Sequence, residues 1–374
     1  MPTFFGGGGN NYRAASGTPP SAPQNVTSAT KDAAATVYWY APASAGSSSI
    51  THYVITPYIG GSAQSSTTVA IGSVSSLTDS NSATALYANV TGLTNSTAYT
   101  FSVRARSAVG DGAESTQSGA NTPLANLVFG DDFNGTAGSQ ICPEWWVYTR
   151  CGYLAQNEVQ YYLPAQTQLD GNGNLQITAT HTSYTGPSYP SAGGGNVTQA
   201  WRSGAVQSNT RTYAPTGTSM TFESRFQVCP DAGGTMWPGF FWLEGQSNLT
   251  NWKTDPNQGG WDNAGHSEID VAEWFQSGAT GNYGSNLLAA TWHQNNITSG
   301  VDLSAAMHTY QAIWTPSTSI VFKRDGSTTA TVSADVSSAA ATQYFLLIYL
   351  QILAGSATSP QSCFTDYVRV YDNP

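Results

Sequence analysis

The chain has 374 residues and a formal net charge of −10, and only 9% of it is charged, against ~25% in ordinary soluble domains. An acidic chain so poor in Lys and Arg is a weak match for nucleic acid or an anionic membrane, whereas a neutral polysaccharide suits its hydroxyl- and amide-rich composition. No apolar run approaches the ~20 residues of a membrane-spanning helix, so membrane insertion is not expected; short alternating runs broken by Gly, Asn, Ser and Pro predict an all-β protein.

Residues 1–17 are rich in Gly, Asn and Ser and read as a flexible or partner-bound arm. Met1-Pro-Thr-Phe-Phe-Gly-Gly-Gly-Gly has neither a basic start nor a continuous apolar stretch, so no secretory signal peptide is recognised. Action outside a cell would then use another route, or a leader outside this numbering. From Thr18-Pro19-Pro20 to residue 124 the segment is strand-rich, with Trp39 and Tyr53 as core aromatics and Tyr99, Phe101, Val103 and Ala105 alternating inward. Its Pro-rich start, core Trp39, Leu93…Tyr99 corner and Ala108-Val109-Gly110 resemble a fibronectin type III domain, which implies a β-sandwich. No acid cluster or metal pattern lies there, so a spacer is expected, with a weak binding module as the alternative.

After Pro123 the texture changes, and ten of the eleven Trp residues follow. Cys142 and Cys151 flank a short loop holding Trp145 and Trp146, a candidate cleft wall, and could bridge; Cys229 with Cys363 would be a long-range pair. None forms a CxxC, so a zinc–thiolate site is not expected. The run His266-Ser-Glu-Ile-Asp-Val-Ala-Glu-Trp-Phe275 places Glu268, Asp270 and Glu273 in a β-branched setting. Strict alternation puts Glu268 and Asp270 on one face and Glu273 on the other. One extra residue at Val271 or Ala272, a β-bulge, would return Glu273 to the shared face. Three crowded acids stabilise a sheet poorly but separate pKa values well, which suits glycoside hydrolysis. The plainer alternative is three acids on a solvated edge strand.

Residues 125–374 resemble glycoside hydrolase family 16, whose signature is E-x-D-x-x-E or E-x-D-x-E. Asp131-Asp132-Phe133-Asn134-Gly135, Asn157-Glu158-Val159-Gln160-Tyr161-Tyr162, Trp237-Pro238-Gly239-Phe240-Phe241-Trp242-Leu243 and His308-Thr309-Tyr310-Gln311-Ala312-Ile313-Trp314 agree with it in order. The resemblance implies a jelly-roll (concanavalin-like) sandwich with a sugar cleft on its concave face. It implies Glu268 as nucleophile, Glu273 as general acid/base and Asp270 as the residue that orients the nucleophile. It also implies His293 facing the cleft from a neighbouring strand, with His266 and His308 as weaker candidates. For substrate contact the reading favours Trp237, Trp242, Trp261, Trp274 and Trp292, with Asn157 and Glu158 at the cleft edge; Trp242 could equally be core. Catalysis would need no cofactor. A structural calcium, frequent in the family, would fall on Asp132, Gly173 and Asp366, with Asp132 a shorter reach than the usual Glu.

The bulged motif resembles the laminarinase, agarase and carrageenase branches more than the lichenase branch. The expected activity is endo-acting, retaining hydrolysis of β-1,3-linked glucan of the laminarin type, with mixed-linkage glucan or galactan left open. The alternative is a virion-associated tail protein that binds glycan with weak or no turnover. The Gly-rich arm, the missing signal and the fibronectin-like module resemble bacteriophage tail proteins, where the arm would hold a virion partner.

Overall fold

Two runs of alternating side chains build the N-terminal sandwich. One sheet holds β1 (Gln24–Lys31), β2 (Ala34–Tyr40), β4 (Ser75–Thr78) and β5 (Thr84–Thr91); the other centres on β3 (Ile50–Ile59) and β6 (Thr100–Ser107). Trp39, Tyr53, Phe101, Val103 and Ala105 close one core between them, and the Tyr99 hydroxyl accepts the Thr94 amide N–H at 3.0 Å, a tyrosine corner. The computed structural model describes residues 17–154, 157–245, 251–254, 267–274, 279–289, 291–339, 342–353 and 359–374, with backbone alone for 240–242 and 251–252.

The second sandwich also stacks two antiparallel sheets. Its outer sheet runs β17 (Ser327–Val332), β16 (Ser319–Arg324), β15 (His308–Thr315), β10 (Ser219–Gln227), β19 (Gln361–Asn373) and β7 (Leu127–Asp131). The inner sheet runs β8 (Trp145–Val147), β9 (Ala205–Ser208), β18 (Tyr344–Ile352), β11 (Met236–Gly245), β12 (Glu268–Glu273), β13 (Asn282–Leu288) and β14 (Trp292–His293). Strand β18 is buried along its whole length. Its Leu346, Ile348 and Leu350 enter the core between the sheets, while Phe345, Leu347 and Tyr349 form a separate apolar cluster on the inner face. That double burial is why the strand reads as a nearly unbroken apolar run.

The N-terminal sandwich, expected as a spacer, is joined to the second one along a sheet edge. Strand β7 pairs β1 at Thr30↔Gly130, so the outer sheet continues from one sandwich into the other through β1, β2, β5 and β4. Tyr38 packs into the core of the second sandwich, and its hydroxyl donates to Glu144 at 2.8 Å. Arg211 closes on the same carboxylate at 2.7 Å. A packed aromatic, a half-covered ion pair and a shared sheet resist the independent swing that a linker would permit.

All four cysteines are buried free thiols. Cys142 belongs to the main core and Cys151 to a separate cluster with Tyr153, Tyr161 and Tyr189, so the two do not bridge. Cys229 donates its backbone N–H to Cys363 Sγ at 3.1 Å.

Candidate active site

Register locates the three acids. Along β12, Glu268 faces Leu288 and Asp270 faces Asn286 on β13, but Glu273 faces Gly284, so three residues of β12 span the place of two on β13. This is the expected bulge at Val271–Ala272, and it turns Glu273 back to the face of Glu268 and Asp270. The structure adds that β11 carries a matching extra residue. Gly239 faces Glu273 and Trp242 faces Asp270 in unbroken register, whereas against β18 the register of β11 shifts between Gly239 and Trp242. The two central strands bulge together, and one transverse row of the inner face reads Tyr349, Gly239, Glu273, Gly284.

The glycines in that row have a steric reason. A Cβ at Gly239 would lie 2.0 Å from Tyr349 Cζ, and one at Gly284 would lie 2.8 Å from Asn286 Nδ2. Without side chains there, the Tyr349 ring and the Asn286 amide close on Glu273 from both sides. Asn286 Nδ2 donates to Asp270 Oδ2 at 2.9 Å and reaches Glu273 Oε2 at 3.4 Å; Trp237 Nε1 donates to Glu273 Oε1 at 2.9 Å. Asp270 stands within hydrogen-bonding reach of both Glu268 and Glu273.

All three carboxyls are buried, with Glu273 the most open at 7% exposure, so the solvated-edge alternative fails. Burial, then the charge of Glu268, pushes Asp270 well above the usual carboxylate range. Burial and then the charge of Asp270 push Glu273 the same way, against the indole of Trp237 and the amide of Asn286, which favour its ionised form. Asp270 and Glu273 thus both lean toward their protonated forms. Glu244, directly opposite Glu268 on β11 and fully buried, adds a fourth carboxyl to the face and further raises Asp270.

Other expected site residues divide. Trp292, opposite Leu288 and hence on the acid face, is 42% exposed; with Glu273, Asn286, Gln294 and Asn296 it lines a cavity of about 410 Å³. Trp237 reaches the site as a buried hydrogen-bond donor and not as an exposed stacking face. Trp274 is core: it is fully buried against Phe226, Tyr283 and Tyr310, because it follows the bulged strand onto the opposite face. His293 pairs with Leu287, a core-face residue, and its Nε2 meets Asp335 at 2.8 Å, so it turns away from the acids. His308 meets Asp325 at 2.7 Å on the outer sheet. Glu158 is buried, accepts from the Tyr153 amide at 2.7 Å and Gln160 at 2.6 Å, and burial lifts it to about 7; it organises its own loop and does not stand at a cleft edge. Asn157 is exposed, in a left-handed conformation with φ 61°. Trp145 is core, whereas Trp146 is half-buried on the inner face. Trp261, His266 and the side chain of Trp242 lie outside the described residues.

Asn286, Tyr349 and Glu244 were missed by sequence reasoning. A glycine inside a strand signals close backbone approach, so Gly239 and Gly284 carried the only hint of the first two. The calcium triad does not fit a cation. Asp132 takes the Arg369 guanidinium at 3.0 Å, and Asp366 takes Arg225 at 2.5 Å, so each acid already faces a positive charge. Gly173 packs toward the Asn134 side chain. Among the described residues no cluster of three or more His, Cys, Asp or Glu could hold a metal.

The family model for the Fibronectin type III domain matches residues 21–120. A search of curated proteins returns no match. Among solved structures the chain is similar to an endo-1,3-β-glucanase from Streptomyces sioyaensis, at 23% identity and a TM-score of 0.52, covering 67% of this chain and 98% of that one. An endo-β-1,3-glucanase from Pyrococcus furiosus is similar at 22% identity and a TM-score of 0.52, covering 66% and 94%. A LamA variant from Zobellia galactanivorans, solved with laminaritriose and laminaritetraose, is similar at 18% identity and a TM-score of 0.51, covering 66% and 98%. The chain joins a fibronectin type III domain to a jelly-roll sandwich with the fold of these glucanases.

Proposed function

We propose that the second sandwich is an endo-acting, retaining β-glycan hydrolase whose substrate is β-1,3-linked glucan. The observation that carries this reading is the bulge-sharing pair of strands, which gathers Glu268, Asp270 and Glu273 on one buried face with an indole and an amide donor beside them. The bound oligosaccharides of the LamA variant support the choice of substrate.

A retaining hydrolase needs one carboxylate to attack the anomeric carbon and a second, ~5–5.5 Å away, to protonate the leaving oxygen. Glu268 is the nucleophile in this reading. Glu273, kept protonated by burial and by Asp270, donates its proton as the glycosidic bond breaks. It then takes a proton from the water that attacks the glycosyl–Glu268 ester, and the sugar leaves with its configuration retained. Asp270, between the two, shares its hydrogen bond with whichever neighbour holds the proton.

The test is a reducing-sugar assay across β-1,3-, mixed-linkage and β-1,4-glucans, agar and carrageenan, with product anomers followed by NMR. Wild-type protein is expected to release oligosaccharides of retained configuration from β-1,3-glucan, and Glu268→Gln to lose at least about 10³-fold in kcat. Full activity in Glu268→Gln overturns the roles, and cleavage of another polymer alone overturns the substrate.

A further inference from the structure

The fibronectin type III domain reaches the same face as the acids. Backbone register traces a transverse row of positions across the inner sheet, from Trp146 on β8 through Gln207 on β9, Leu347 on β18 and position 242 on β11 to Asp270 on β12. Trp146 and Asp270 are four strands apart, about 19 Å at the usual inter-strand spacing. Beyond Trp146, at the sheet margin, lies a cavity of about 360 Å³ lined by Ser80, Trp146, Tyr184, Tyr189 and Lys253. Ser80 belongs to the turn between β4 and β5 of the N-terminal domain.

That turn is built to hold its place. Asp79 Oδ1 accepts the amides of Asn81 and Ala83, each at 2.9 Å, and Asp79 Oδ2 accepts the Tyr40 hydroxyl at 2.5 Å and Gln140 of the second sandwich at 3.1 Å. A continuous chain of contacts then links it to the tryptophan. Asn209 Nδ2 donates to the Thr78 carbonyl at 2.8 Å, Lys253 Nζ donates to the Asn209 carbonyl at 2.6 Å, and the same ammonium stands 4.7 Å from the centroid of the Trp146 ring.

We infer that Ser80 and its turn complete, with Trp146, Tyr184 and Lys253, a distal glycan subsite that neither domain forms alone. The inference rests on the hydrolase reading of the acid face. Half-buried aromatic rings beside hydroxyl and ammonium donors suit the apolar face and hydroxyl edge of a neutral sugar. At about 19 Å from Asp270 the subsite is out of reach of a sugar at the acids and engages only a chain of several units. The fibronectin type III domain thereby sets the preferred chain length.

The experiment compares full-length wild type, Trp146→Ala and Ser80→Trp, which fills the cavity from the N-terminal side, on β-1,3-gluco-oligosaccharides from three to eight units. Hydrolysis and calorimetric binding are both recorded, and thermal midpoints check the fold. Both variants are expected to lose about tenfold in kcat/KM on the longest oligomers through KM, and nothing on the trimer. A wild type that cleaves, with both variants keeping its chain-length profile, overturns the shared subsite and spares the hydrolase. A wild type that binds long oligomers through Ser80 and Trp146 without cleaving them overturns the hydrolase and spares the subsite. A wild type that neither binds nor cleaves overturns both.

Discussion

The two sheets of the second sandwich treat their acids in opposite ways. On the outer sheet and its approaches, three carboxylates meet a guanidinium: Asp132 and, at 4.0 Å, Glu223 meet Arg369, and Asp366 meets Arg225. On the inner sheet, Asp270 and Glu273 receive an amide and an indole, and their strongest electrostatic neighbours are other carboxyls. Ion pairing lets an acid be half-buried at little cost, whereas like-charge crowding in a dry site is costly and keeps a proton bound. The paired acids serve architecture. The crowded ones favour their protonated forms.

Breaking the crowded face should therefore do more than breaking the paired one, and the steric element is the most severe. In Gly239→Ala the new methyl would lie 2.0 Å from Tyr349 Cζ, and the Tyr349 ring is itself buried with Trp237 packed edge-on at 6.4 Å. Overpacking of this kind costs about 1–3 kcal/mol. A thermal midpoint several degrees lower, together with reduced hydrolysis, is the expected outcome. An unchanged midpoint would mean that Tyr349 swings aside freely and that the matched bulge tolerates a side chain.

How much of this was legible in the sequence depended on how local each signal was. Alternation at Tyr99, Phe101, Val103 and Ala105 marked the first sandwich, because burial and strand period are written within a few residues, whereas the second was expected from motifs that resemble a known family. The spacing from Glu268 to Glu273 gave the bulge on β12 by counting alone. Its twin on β11 was hidden, since it changes nothing in the local period that Gly239 does not disguise. Trp274 and His293 were misplaced for one shared reason. Each lies a single position from a residue on the acid face, and a one-residue offset in a strand reverses the side. The docking of the N-terminal domain rests on Tyr38, Glu144 and Arg211, which are distant in sequence, and no window along the chain could join them.

The donors around the acids offer a finer probe. Asn286 donates to Asp270 and reaches Glu273, so its amide favours the ionised forms of both, and removing it raises their pKa values. In the proposed mechanism Glu273 must be protonated to act, so the alkaline limb of kcat/KM against pH moves upward in Asn286→Ala. Hydrogen bonds to charged groups are worth ~1.5–3 kcal/mol and one pKa unit is 1.36 kcal/mol, which gives a shift of about one pH unit for partners of this geometry. The acidic limb, set by ionisation of Glu268, should move less. An unmoved alkaline limb would show that the amide merely packs.

The smallest effect belongs to the outer sheet, and its smallness is the informative part. Arg225 and Asp366 are 45% and 31% exposed, so water screens their attraction. Asp366→Asn should then cost only about 0.2–1 kcal/mol in urea unfolding and leave hydrolysis at the wild-type rate. Chelation by EDTA should leave the wild-type midpoint where it was, since Arg369 and Arg225 already supply the positive charge at Asp132 and Asp366. A large loss on chelation, abolished by Asp366→Asn, would mean that a cation displaces those guanidinium groups. The outer acids would then be a metal site, and the contrast between the two sheets would become one between two kinds of functional carboxylate.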